Sequence, residues 1–231
     1  MLKKHASWLL PILLMIAITP FTPYLDFSIE EFFYRHGSGN PEHFISNWFC
    51  DFMYDYGEWP GLGTGFVAAA LLMFSYVFPY LKKTRMHALF LVLVLVIGPG
   101  FITNALLKEH WGRPRPKQVE EFGGTQSFRP FYKPNFFDQP EPSKSFTCGH
   151  CTMGFYFFAL AIVGRRIHSK SLYLSGMALA WFLGISLSIV RMAQGGHFLS
   201  DTLMSALLMW LTCLVCEWLV YGDKSEAPVR N

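Results

Sequence analysis

His197 and Asp201 stand four residues apart in the stretch Arg191–Asp201, R-M-A-Q-G-G-H-F-L-S-D. On a helix that spacing puts both side chains on one face, in reach of each other. A carboxylate on one ring nitrogen fixes the tautomer and leaves the other nitrogen free to attack. Gly195 and Gly196 precede the histidine, where a helix would start. Helix-start N–H groups and side-chain-free glycines suit a bound anion. Arg191 adds a permanent cation whose forked donors match phosphate. The chemistry within reach is phosphoryl transfer to a histidine nucleophile. The plainer alternative is a helix cap with a solvated histidine.

Two further stretches carry residues of the same kind. Lys108–Pro116 reads K-E-H-W-G-R-P-R-P, with Lys108, Arg113 and Arg115 crowding cations at a helix end and Pro114 and Pro116 stiffening the exit. Lys108 and Arg115, seven residues apart, can converge on one phosphate from a helix end and a fixed loop. Thr147–His150 reads T-C-G-H, and His150 can protonate a leaving oxygen as general acid. Each stretch has an alternative. A juxtamembrane basic cluster anchors to lipid headgroups. The C-G-H-C string of Cys148–Cys151 looks like a disulfide-exchange site, but that chemistry needs a thioredoxin-type α/β domain, and no strand–helix alternation surrounds it. A plain Cys148–Cys151 disulfide fits an oxidising compartment. A zinc site from Cys148, His150 and Cys151 has its ligands too crowded for finger spacing.

The elements that must position these residues are apolar. The 231 residues are enough for one domain, 1–231, and are 52% hydrophobic but only 15% charged, which points to an integral membrane protein. A net charge of +3 is too small to argue for a nucleic-acid partner. Stretches long enough to span are 6–25, 61–81, 88–107, 149–164, 172–190 and 200–221, predicting an all-α protein with six transmembrane helices. The first resembles a signal peptide but lacks a small-x-small cleavage site before Pro20, and is expected to stay as a span. Lys3 and Lys4, then Lys82, Lys83 and Arg85, then Arg165, Arg166 and Lys170 mark one side as cytoplasmic. All three chemical stretches then fall on the other side, at the ends of spans three to six. Their common sidedness is the strong observation. The acidic 26–60 segment shares that side; Ser28 with Glu31 reads as a capping box for a short helix ended by Gly37, and Asn40-Pro41 opens a second that Gly57 closes. Their aromatics suit interfacial helices in the headgroup layer, or packing onto the bundle. Cys213 and Cys216, inside an apolar run, are expected to face lipid or core.

Taken together, Lys108 with Arg115-Pro116, then Cys148-Gly149-His150, then Arg191, His197 and Asp201, resemble the three-part signature of the type 2 phosphatidic acid phosphatase superfamily, K-x6-R-P, P-S-G-H and S-R-x5-H-x3-D. The match covers roughly residues 98–201. The resemblance implies that Lys108, Arg115 and Arg191 bind phosphate, with Cys148 and Gly149 at the position of the family's phosphate-contacting Ser-Gly. It implies that His197 is the nucleophile held by Asp201, that His150 is the acid, and that no metal or other cofactor is needed. Two positions depart: the family's Pro-Ser pair is Thr147-Cys148, and its Ser before the arginine is Val190. A thiol donates more weakly than a hydroxyl, so its contact passes to the Gly149 and His150 N–H groups or is lost. G-P-G at 98–100 and the flanking residues are similar to one branch, the lipid A 4′-phosphatases of Gram-negative inner membranes. That branch implies a lipid A or phospholipid substrate and a periplasmic active site. Alternatives are an undecaprenyl pyrophosphate or phosphatidylglycerophosphate phosphatase, a lipid phosphotransferase, or a six-span transporter. A transporter would need charges within its spans, which Glu217 alone supplies.

Overall fold

The computed structural model describes residues 2–36, 43–137 and 143–222. Among these residues the protein is helical, with no β-sheet and two isolated bridges, Arg113 to Lys144 and Val119 to Gln126. The all-α membrane architecture expected from the sequence is the one observed. Among the described residues five helices are long and apolar enough to cross a membrane: Ala6–His36, Trp48–Val77, Pro79–Lys108, Lys170–Ala193 and Leu199–Tyr221.

The first of these is longer than expected. α1 (Leu2–Ile18) passes through a single 3₁₀ turn, Thr19–Phe21, into α2 (Thr22–His36). Pro20 and Pro23 fall in first-turn positions, where a missing N–H costs nothing. Ser28 therefore starts no helix. Its hydroxyl donates back to the Tyr24 carbonyl at 2.8 Å, and Glu31 pairs with Arg35 one turn on. The expected stop at Gly37 and start at Asn40-Pro41 lie outside the described residues.

α3 (Trp48–Tyr56) begins at Asn47, whose side chain accepts from the Cys50 N–H at 2.9 Å. Gly57 follows its last residue, and α4 (Trp59–Val77) starts almost at once, so the two make one rod of span length. A side chain on Gly57 would sit 2.4 Å from Leu187, so α3 lies tight against α8 (Lys170–Ala193). The aromatics divide between the two expected fates. Trp48, Phe49 and Phe52 are exposed, while Phe44 is buried against Val119, Phe122 and Phe198.

The third crossing starts as α5 (Arg85–Leu95) and widens to i→i+5 winding over Val96–Lys108, around Pro99. The change of pitch re-phases everything after it, including Lys108. The expected fourth crossing is two short helices, α6 (Gly149–Phe155) and α7 (Phe157–Arg166), broken at Tyr156. These form the centre of the bundle and are buried almost throughout. They mesh with α8 through glycines: an added Cβ on Gly154 would meet Gly184 backbone at 2.6 Å, and one on Gly176 would meet Ala161 at 2.4 Å. α9 (Leu199–Tyr221) completes the core, with Cys213 and Cys216 facing inward. At its far end Glu217 is paired with Arg165 at 2.7 Å and Arg166 at 2.6 Å, and Tyr221 with His87 at 2.8 Å. The ends of the third crossing and α8, and the starts of α6 and α9, gather at the opposite end of the bundle.

Candidate active site

All eight residues singled out from the sequence sit at that opposite end. His197 is buried in the turn between α8 and α9. Its Nδ1 lies 2.6 Å from the Ser145 carbonyl and 3.8 Å from Asp201 Oδ2. The second distance is beyond hydrogen-bond reach, so the direct carboxylate–imidazole bond expected from the spacing is not made. The reason is local. α9 starts at Leu199, so His197 precedes the helix and does not share a helical face with Asp201. Asp201 folds back on its own helix start: Oδ2 accepts from the Phe198 N–H at 3.0 Å and from Ser145 Oγ at 2.6 Å. Ser145 thus stands between the two, giving its hydroxyl to the aspartate and its carbonyl to the histidine. A carbonyl can only accept, so the proton is held on Nδ1 and the lone pair is left on Nε2, as attack on phosphorus would require. Burial pushes His197 down to about 4, with Asp201 pulling the other way and Arg191 and Arg115 adding to the fall. The imidazole is neutral throughout the physiological range, the form in which it could act as a nucleophile.

Arg191 ends α8, buried, with Nη1 donating to Gln194 Oε1 at 2.7 Å and its guanidinium 4.6 Å over the Tyr54 ring. Gly196 makes room for it: a Cβ there would lie 2.4 Å from Arg191 Nη2. Gly195 takes the left-handed conformation, φ +61°, with the Phe44 ring where its side chain would be. Arg191 Nε is buried without a hydrogen-bond partner among the described residues, and so is Thr147 Oγ1. A buried guanidinium N–H without an acceptor is costly, and an oxyanion would supply the acceptor. Lys108 Nζ lies 3.7 Å from the point a Gly149 side chain would occupy, so the first two stretches meet there. Lys108, Arg115 and Arg191 are all close enough to act on His150, and Arg115 and Arg191 on His197. A cavity of about 250 Å³ opens beside Arg115 and Arg191 and is lined also by Tyr54, Asp51 and Gln194.

His150, in the first turn of α6, stacks on the Tyr54 ring, with Nε2 3.1 Å from the Tyr54 carbonyl and Nδ1 3.3 Å from Glu58 Oε1. Residues 87–224 match the PAP2 superfamily. The chain belongs to that superfamily. It is a phosphatase, a hydrolase of phosphoric monoesters. Over 209 residues it is 30% identical to the lipid A 4′-phosphatase of Francisella tularensis subsp. novicida (strain U112), covering 87% of this chain and 89% of that one. Over 121 residues it is 33% identical to the lipid A 4′-phosphatase of Rhizobium leguminosarum, covering 52% of this chain and 48% of that one. No solved structure matches.

Against the PAP2 signature, Cys148 is the position that changes most. It is fully buried and disulfide-bonded to Cys151, and its sulfur accepts from the Cys151 N–H at 3.2 Å. A disulfide sulfur has no S–H to donate, so Cys148 does not offer phosphate the thiol contact expected of it. The N–H groups of Gly149 and His150, opening α6, are the donors left at this point. The same bond occupies both sulfurs of the zinc alternative, and among the described residues no thioredoxin-type sheet surrounds the C-G-H-C string.

Four residues that matter were not singled out. Arg113, counted only among a basic cluster, is fully buried. It pairs through Nη1 with Asp201 Oδ1, and it donates to Ser200 Oγ at 2.8 Å, Asp26 Oδ2 at 2.8 Å and the Arg129 carbonyl at 2.9 Å. Asp26, read as part of an acidic outer segment, accepts from the Ser200 N–H at 2.8 Å and hydroxyl at 2.7 Å. This network ties α2 to the start of α9 and holds Asp201 from behind. Tyr54 and Glu58 hold His150. The one signal for any of them was the doubled arginine of R-P-R-P.

Proposed function

We propose that this chain removes the 4′-phosphate of lipid A at the periplasmic face of the inner membrane through a phosphohistidine intermediate, with no metal. The observation that carries the phosphate site is the convergence of Arg191, with its unpartnered buried Nε, Arg115 and Lys108 around His197 and His150, at one end of a membrane bundle. The names of the relatives carry the substrate. The side of the membrane rests on charge: Lys82, Lys83, Arg85, Arg165, Arg166 and Lys170 gather at the end opposite the site.

In the first step Nε2 of His197 attacks phosphorus in line while Nδ1–H stays on the Ser145 carbonyl. Lys108, Arg115 and Arg191 neutralise charge spreading over the equatorial oxygens, and the Gly149 and His150 N–H groups supplement them. His150 protonates the departing sugar oxygen. In the second step His150, now a base, takes a proton from the water that hydrolyses the phosphohistidine. A lipid substrate reaches the site sideways from the outer leaflet.

The test is mass spectrometry of lipid A from cells with and without the protein, beside cells carrying His197→Ala. One phosphate fewer only with the active protein is the expected result. Normal dephosphorylation by His197→Ala refutes the nucleophile; unchanged lipid A with an inserted, intact protein refutes the substrate. Ala at Lys108, Arg115, Arg191 or His150 should each abolish release.

A further inference from the structure

His150 is held by a helix pair that contributes nothing to the three signature stretches. Its Nε2 donates to the Tyr54 carbonyl at 3.1 Å, its Nδ1 lies 3.3 Å from Glu58 Oε1, and its ring is stacked on Tyr54 with centroids 4.8 Å apart and planes 18° from parallel. Tyr54 and Glu58 are four residues apart across the junction of α3 and α4, so ring, carbonyl and carboxylate reach one imidazole from one side. The same Tyr54 ring carries the Arg191 guanidinium 4.6 Å above it. Tyr54 is therefore the spacer between acid and phosphate clamp.

A general acid must hold its proton when substrate arrives. Burial opposes a positive charge on the His150 ring most strongly, and Arg191, Lys108 and Arg115, facing it from three other elements, add to that opposition. From α3 and α4 the ring is faced by the Tyr54 carbonyl and the Glu58 carboxylate. The carbonyl accepts from Nε2 and the carboxylate faces Nδ1, so the two favour the protonated ring from its two nitrogens.

We propose that Glu58 is a positioning residue of this phosphatase, whose carboxylate beside Nδ1 favours the protonated form of His150 against burial and the three cations and aims its Nε2–H at the leaving-group oxygen. The assignment rests on the acid role given to His150 above. In the resting site Nε2–H is donated to the Tyr54 carbonyl. When the ester binds, that proton passes from Nε2 to the bridging oxygen as the phosphorus–oxygen bond breaks and the bond from phosphorus to His197 Nε2 forms. His150 is left neutral, its Nδ1–H still on Glu58. The attacking water then returns a proton to Nε2 as the phosphohistidine bond breaks.

Glu58→Gln removes the charge and keeps the shape. The His150 ring is titrated by NMR in detergent micelles, its resonance assigned by its absence from His150→Gln. The pH profile of kcat/KM on bisphosphorylated lipid A in the same micelles is measured alongside. In Glu58→Gln the ring midpoint and the alkaline limb of turnover should fall together by about one pH unit, the low end of the range for loss of a close opposite charge because the pair is partly exposed. Glu58→Asp should restore most of both. A purely structural role would lower the amplitude of the profile without moving its limb. A ring midpoint unchanged in Glu58→Gln overturns the assignment of Glu58. A midpoint that moves while the alkaline limb stays put refutes His150 as the acid, and with it any catalytic role for Glu58.

Discussion

Replacing Arg113 tests the buried network behind His197. Arg113→Met keeps much of the apolar stem but removes the guanidinium, whose carbon lies 4.4 Å over the Phe198 ring. It deletes the charge between two buried carboxylates, Asp26 and Asp201. Breaking a buried pair by removing one partner costs about 3–5 kcal/mol, because the other partner stays buried and unpaired. Here two carboxylates are left, so the upper end applies. At about 2–4 °C per kcal/mol for a chain of this size, the unfolding midpoint should fall by roughly 10–20 °C. Asp26→Asn in the Arg113→Met background removes one stranded charge and should return a large part of the loss. The assay is thermal unfolding of the four proteins of the double-mutant cycle in one detergent, with turnover measured well below each midpoint. Activity should be lost in Arg113→Met even where it is folded, since Asp201 then no longer holds Ser145 in place. An Arg113→Met midpoint within a degree or two of wild type, or additive effects of the two substitutions, would refute the reasoning.

Because burial holds His197 near 4, well below its ordinary 6.5, the unfolded chain takes up a proton on this residue first as pH falls. Its contribution to stability is therefore complete above about pH 6.5 and is lost progressively toward pH 4, which acid-titrated unfolding checks. The acid limb of kcat/KM should likewise lie nearer pH 4 than 6.5 wherever it is set by His197. Gly196→Ala puts a methyl group 2.4 Å from Arg191 Nη2 and should lower kcat/KM at least about tenfold, an interaction worth 1.4 kcal/mol, with little change in midpoint; a fully active variant would show that the clamp can move. The double replacement Cys148→Ser with Cys151→Ser should keep most phosphatase activity. It opens a loop of only four residues and should cost about 2 kcal/mol, measured by thermal unfolding.

The parts of the site that were legible in the sequence are those whose geometry is set by helix ends. Lys108, His150, Arg191 and Asp201 each end or begin a helix, so counting apolar stretches was enough to bring them to one face. What could not be read are contacts without a local pattern. Asp26 and Ser200 are 174 residues apart, and Arg113 and Asp201 are 88 apart. Arg113 and Arg115 stand two residues apart in the same R-P-R-P string, yet one is buried against Asp201 and the other lines the cavity. The capping-box signature at Ser28 misled because a serine inside a helix can donate to the carbonyl four residues back instead. The four-residue spacing of His197 and Asp201 misled because the helix starts between them.

The placement of Asp26 bears on the order in which the protein can assemble. α2 is among the first parts of the chain to be made, and it carries Asp26 and the fully buried Glu30. The guanidinium that pairs with Asp26 is synthesised 87 residues later, and the hydroxyl and N–H that complete its shell 174 residues later. Until then the carboxylate stays in water or takes up a proton, because burying it charged and alone is costly. The N-terminal rod therefore reaches its final charge-paired state only when α9 arrives, and the same event finishes the cradle of His197. Quality control at the membrane can in this way be read from a single interface: a chain that has not been completed cannot be closed.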